Sequence, residues 1–107
     1  MLKRNPGVRS ELFHPSELAY AERQPHPSQS LASRYAAKEA VVKALGADGW
    51  DPLDVEITAG GERTGLRLHG ALRDRADALG VDVTISMTHL ASLAGAVAMA
   101  RPNSNGP

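Results

Sequence analysis

Helical periodicity is strongest between Gln29 and Leu45. Leu31, Tyr35, Val42 and Leu45 recur there at the spacing of one face, Ala32, Ala36 and Ala40 fill nearby positions, and Gly46 is placed to end the helix. Upstream, Pro15 stands where a helix begins and Glu17 lies in its first turn, so a short helix is expected from Pro15 to about Arg23. Gln24-Pro25-His26-Pro27-Ser28 separates the two, because each proline disfavours helix at the residue before it. Beyond the turn at Ala47-Asp48-Gly49, Leu53, Val55 and Ile57 alternate with Asp54 and Glu56, the pattern of a half-buried strand. Gly60-Gly61 is expected to turn the chain into a partner strand carrying Leu66 and Leu68. A second amphipathic helix reads from Gly70 to Leu79 and stops at Gly80, with Arg73, Asp74, Arg75 and Asp77 as a solvated face. Val81, Val83 and Ile85 alternate again, and the small apolar run from Leu93 to Met99 suits a strand covered on both faces. The expected order is α-α-β-β-α-β-β, an α+β domain whose sheet is largely antiparallel and packs on the long helix.

Residues 1–10 show little periodicity and are expected to be a flexible lead-in, residues 11–101 the domain, and residues 102–107 a disordered tail. The chain has 107 residues, enough for one domain with a modest core, and a chain this small often gains burial by associating with its own copies. Its aromatic residues are Phe13, Tyr20, Tyr35 and Trp50 alone, so the core must be built from Ala, Val, Leu and Ile. Trp50 is expected to cap that core. Twelve basic and twelve acidic residues balance, which argues against nucleic acid or an anionic membrane as partner. No apolar run approaches the roughly 20 residues that span a bilayer, and Met1 to Gly7 lead into no apolar stretch of a signal peptide. With no cysteine, disulfides, thiolate metal sites and cysteine nucleophiles are excluded together, which suits a cytoplasmic location. His14, His26 and His69 fall in or beside expected turns and read as surface histidines.

Candidate chemistry concentrates on the long helix. Glu39 and Lys43 lie four residues apart and share a face, and Arg34 and Lys38 are related in the same way. A carboxylate on a rigid helix can hold a hard divalent cation such as magnesium, while ammonium and guanidinium groups grip phosphate oxygens. Taken alone, a Glu–Lys spacing of this kind is better explained by a surface ion pair.

The wording of the helix says more than its charges. Leu31-Ala32-Ser33-Arg34-Tyr35-Ala36-Ala37-Lys38-Glu39-Ala40-Val41-Val42-Lys43-Ala44-Leu45-Gly46 closely resembles the signature helix of the holo-acyl-carrier-protein synthases, the short 4′-phosphopantetheinyl transferases. Leu12 to Tyr20 is similar to the phenylalanine-threonine-proline segment ahead of that helix, with His14 in the threonine's place. Val83 to His89 resembles the family's late strand ending in serine-histidine, and Leu93 to Met99 its apolar final strand. The resemblance covers about residues 11–100 and implies transfer of 4′-phosphopantetheine from coenzyme A to a serine of an acyl carrier protein, in fatty acid or polyketide synthesis. It also implies a homotrimer with sites between subunits. By motif position Glu39 is the magnesium ligand and Lys43 contacts the diphosphate. Arg34 and Lys38 add positive potential, and His89, helped by Thr88, binds phosphate of the nucleotide. The family opens with a strand bearing Gly-Ile-Asp, whose aspartate is a second magnesium ligand. Nothing in Met1 to Glu11 resembles it, and Glu11 is the only carboxylate before the first expected helix. The glycine-rich stretch usual after the signature helix is also shorter here. An alternative is therefore kept: a non-catalytic or repurposed member of the fold that binds a carrier protein or partner, or acts on a carrier-bound acyl chain by other chemistry.

Overall fold

The computed structural model describes residues 6–58, 65–90 and 93–102, with side chains over 9–58, 65–85 and 98–102. Three helices come first: α1 (Pro6–Leu12), α2 (Pro15–Glu22) and α3 (Pro27–Leu45). A 3-10 turn (Pro52–Asp54) leads into β1 (Val55–Thr58), followed by β2 (Gly65–Leu68), α4 (Gly70–Leu79), β3 (Val81–Leu90) and β4 (Leu93–Pro102). Helices α2 and α4 open on Pro15 and Gly70 as expected, whereas α3 begins at Pro27, inside the segment expected to separate it from α2. The α+β order is as expected, with two differences. The segment from Pro6 is already a helix rather than lead-in, and Pro52–Asp54 is a helical turn closed by Asp51, whose side chain accepts from the Leu53 N–H at 2.9 Å. The Gly60-Gly61 turn lies outside the described residues.

Among the described residues the strands form two antiparallel hairpins rather than one sheet. In the first, Val55 faces Leu68 and Thr58 faces Gly65; in the second, the register runs from Val81 opposite Pro102 to Leu90 opposite Leu93. A groove lined by Leu66, Leu68, Ala76, Val81 and Val83 lies where β2, α4 and β3 approach one another, and among the described residues β2 makes no ladder with β3. On β4 the expectation of burial on both faces fails at Met99, which is 58% exposed. Its neighbours Ala98 and Ala100 are half-buried, so β4 keeps an outward row at this end.

Helix α3 is the centre of the packing. Its buried positions are Ser30, Leu31, Ser33, Arg34, Ala37, Lys38, Val41, Val42 and Leu45, while Ala32, Glu39 and Lys43 face outward. The main core joins Ala37, Val41, Val42 and Leu45 to Val55 and Ile57 of β1 and to Leu72 and Ala76 of α4. Trp50 packs at its edge and meets Tyr35 with ring centroids 5.8 Å apart. Phe13, Ala21 and Leu31 form a smaller cluster that seats α2 on α3. Full burial of a Leu or Ile side chain stabilises by about 1.5–3 kcal/mol, so these few contacts dominate the favourable side of folding. Gly46 ends α3 in the left-handed conformation at φ 64°, which glycine adopts without a Cβ clash. Arg75 of α4 does more than face solvent. Its Nε donates to the Leu45 carbonyl and its Nη2 to the Gly46 carbonyl at 3.1 Å, placing a cation at the negative end of α3.

Candidate functional site

Among the described residues, three groups of charged side chains bear on the site. The first is buried. Lys38 and Glu17, both 0% exposed, form an ion pair of 2.9 Å between Nζ and Oε1. The Lys38 ammonium also donates to the Pro52 carbonyl at 2.8 Å and to the Val55 carbonyl. Three oxygen acceptors match the three protons of an ammonium, which fixes Lys38 as charged. Glu17 is equally engaged: Oε1 accepts from the His14 N–H at 2.9 Å and Oε2 from the Ile57 N–H at 3.2 Å. Burial pulls the Lys38 ammonium below the usual lysine range, and the Glu17 carboxylate opposes that pull. Arg34, 2% exposed, lies with its guanidinium carbon 4.1 Å from the centroid of the Tyr20 ring. Its pKa is lowered by burial, against the attraction of Glu17 and Tyr20. The expectation that Arg34 and Lys38 present positive charge to a phosphate is thus corrected. Both side chains turn inward, where they join α2, α3, the 3-10 turn and β1.

The second group is the outward face of α3. Glu39 and Lys43 are both exposed there, one turn apart on a helix whose other side is locked into the core. Glu39 is the only carboxylate of α3, and among the described residues no hydrogen bond or ion pair engages it. One open, hard oxygen ligand suits magnesium, which keeps several waters and takes further oxygens from substrate phosphates. Thr88 and His89 belong to β3, in register with Gly95 and Ala94 of β4; their side chains lie outside the described residues. The groove beside β2, α4 and β3 includes neither Glu39 nor Lys43 among its lining residues.

The third group was missed in the sequence. Glu56 of β1 accepts from the Ser16 hydroxyl at 2.8 Å and lies 3.0 Å from Nε2 of His69. Arg67 approaches it at 3.6 Å from an exposed position. The bonds from Ser16 and then His69 hold the Glu56 carboxyl below the usual glutamate range, against the partial burial that would raise it. His14 lies beside His69, with ring centroids 5.0 Å apart, and its Nε2 is 2.7 Å from the Leu53 carbonyl. Two of the three histidines expected to be plain surface residues therefore have defined partners. The alternation that marked Glu56 as an outward strand position was the one signal pointing here.

The chain belongs to the 4′-phosphopantetheinyl transferase superfamily, whose family model matches residues 1–80. Within it the similarity is to holo-acyl-carrier-protein synthases. The chain is 40% identical over 103 residues to that of Moorella thermoacetica, covering 92% of this chain and 80% of the relative. It is 42% identical over 103 residues to that of Streptomyces coelicolor, covering 92% and 83%. The fold matches the Helicobacter pylori holo-acyl-carrier-protein synthase, solved in complex with coenzyme A, with a TM-score of 0.75 at 24% identity over 94% of this chain and 87% of that one. The Mycobacterium tuberculosis acyl carrier protein synthase matches with a TM-score of 0.68 at 30% identity over 90% and 86%. Among the described residues no helix is long and apolar enough to cross a membrane.

Proposed function

We propose that this chain transfers 4′-phosphopantetheine from coenzyme A to a serine of an acyl carrier protein. The observation that carries the reading is the outward pair Glu39 and Lys43 on a helix rigidly held by its buried side, in a chain 40% identical to a holo-acyl-carrier-protein synthase. In the transfer the serine hydroxyl attacks the phosphorus that bears the pantetheine arm. A P–O bond forms, the bond to the bridging diphosphate oxygen breaks, adenosine 3′,5′-bisphosphate leaves, and the serine proton passes to a base or water. Charge builds on the diphosphate oxygens, so fixed cations facing them stabilise the transition state more than the ground state. Lys43 is assigned to those oxygens, and Thr88 and His89 to phosphate of the nucleotide. Glu39 is assigned to hold magnesium, which when bound supplies charge neutralisation at the diphosphate. Arg34 and Lys38 act from inside, fixing the helix that carries the pair. The reading includes a homotrimer, in which the exposed face of α3 meets β3 of a neighbouring copy.

The test incubates the purified chain with apo carrier protein, coenzyme A and magnesium and reads the intact mass of the carrier. A gain of one phosphopantetheine arm is expected. Glu39→Ala is expected to abolish the gain while the helix stays folded, since alanine is a good helix former and the side chain is exposed. No gain from the wild-type chain, under conditions where a control transferase works, overturns the function; an unchanged rate in Glu39→Ala overturns the metal assignment alone.

A further inference from the structure

The transfer chemistry makes no use of His14, Glu56 and His69, yet these three come together from distant parts of the chain. His14 precedes α2, Glu56 lies in β1 and His69 joins β2 to α4. A ligand atom from each lies within 4.8 Å of the other two, and Nε2 of His69 is 3.0 Å from Oε1 of Glu56. We propose that His14, Glu56 and His69 form a binding site for a divalent transition metal of the zinc class, distinct from the magnesium face of α3.

Donor chemistry selects the ion. Two imidazoles and one carboxylate suit zinc and its neighbours, whereas magnesium prefers oxygen ligands throughout. Bonds of about 2.0–2.2 Å to such ligands leave donor atoms roughly 3.3–3.5 Å apart in a tetrahedral site. The cluster therefore needs only small adjustments: His69 and Glu56 separate slightly, and the widest pair closes.

The surrounding hydrogen bonds already have the arrangement that metal-bound side chains use. A carbonyl can only accept, so the 2.7 Å contact with Leu53 puts the proton of His14 on Nε2 and leaves a lone pair on Nδ1 for a cation. Ser16 holds Oε2 of Glu56 at 2.8 Å, leaving Oε1 toward His69. The backbone of His69 is fixed by its N–H donating to the Asp54 carbonyl at 2.8 Å. Among the described residues Arg67 is the opposing charge, at 3.6 Å from Oε1, and its 66% exposed side chain can swing into solvent. Three protein ligands leave a fourth position for water. Binding ties the starts of α2 and α4 to β1, so the ion acts as a staple for these elements.

The experiment uses the full chain stripped of metal with a chelator. Calorimetric titration with zinc is expected to show one ion per chain and a rise in thermal midpoint, and cobalt to give the visible absorption of a low-symmetry site containing nitrogen ligands. His69→Asn, chosen because its ring is 38% exposed, is expected to weaken zinc binding by at least about a hundredfold. Glu56→Gln is expected to do the same, and His26→Asn, a histidine outside the cluster, to bind like wild type. Folding of each variant is checked by circular dichroism. Failure of the wild-type chain to bind zinc overturns the proposal, as does zinc binding of wild-type strength in His69→Asn. Neither result bears on transfer to the carrier protein, which is read separately with magnesium.

Discussion

Lys38 and Glu17 do more for this fold than neutralise one another. Between them they satisfy two backbone N–H groups, of His14 and Ile57, and two carbonyls, of Pro52 and Val55. Removing one partner leaves a buried charge uncompensated, a loss of about 3–5 kcal/mol. Lys38→Met is thus expected to lower unfolding stability by that amount in urea titration. Where a buried pair only neutralises itself, replacing both members with apolar residues can restore stability. Here the Glu17→Met/Lys38→Met double variant is expected to recover only part of the loss, because four backbone groups still lack partners. Full recovery would show that those backbone bonds contribute nothing net. The sequence placed Glu17 in a first turn and Lys38 on a helix, but their meeting was not legible there. They are 21 positions apart, and only the packing of α2 on α3 brings them together. The Glu39–Lys43 pair was legible because helical geometry alone puts the two on one face.

The elements show the same division between local and non-local information. Helices α3 and α4 end on Gly46 and Gly80, at φ 64° and 67°, as their sequence punctuation suggests. Gly70 also has a positive φ, 56°, but stands at the start of α4, and a Cβ there would lie 2.7 Å from Oδ1 of Asp54. A Cβ on Gly80 would meet nothing within 4 Å. Alanine at a left-handed position costs roughly 1–2 kcal/mol in backbone strain. Gly80→Ala is expected to show that alone, and Gly70→Ala to cost more because the side-chain carboxylate of Asp54 must also shift. Thermal unfolding of the two variants side by side checks the order, and equal shifts would refute the steric argument. Helix α1 escaped the sequence because its seven residues carry too little apolar repetition to register as a period. Residues 52–54 read as strand because Leu53, Val55 and Ile57 alternate, and alternation cannot tell a helical turn leading into a strand from the strand itself. The separation into two hairpins depends on where β2 ends relative to β3, which no local pattern encodes.

At the scale of the whole molecule, surface is the constraint. Strands β3 and β4 are ten residues each and pair only with one another among the described residues. A lone two-stranded hairpin is marginally stable, and its open edges invite a further partner. One side of this hairpin lies against α3, while Met99 and, just before β3, Leu79 remain 58% and 51% exposed. A homotrimer would cover such surface and bring the β3 segment holding Thr88 and His89 toward the Glu39–Lys43 face of another copy. Sedimentation equilibrium is then expected to give three times the 11.3 kDa chain mass, and specific transfer activity to fall on dilution as trimers dissociate. Met99→Lys is expected to shift the equilibrium toward single chains and to reduce transfer at a fixed chain concentration. Helical content should be unchanged, because the side chain already faces outward and leaves the core intact when replaced. Raising the concentration of this variant should restore part of its activity, which a defect in the catalytic groups themselves would not allow. Full activity of the wild-type protein at concentrations where it sediments as one chain would place every required residue within a single copy and remove the argument for a shared site.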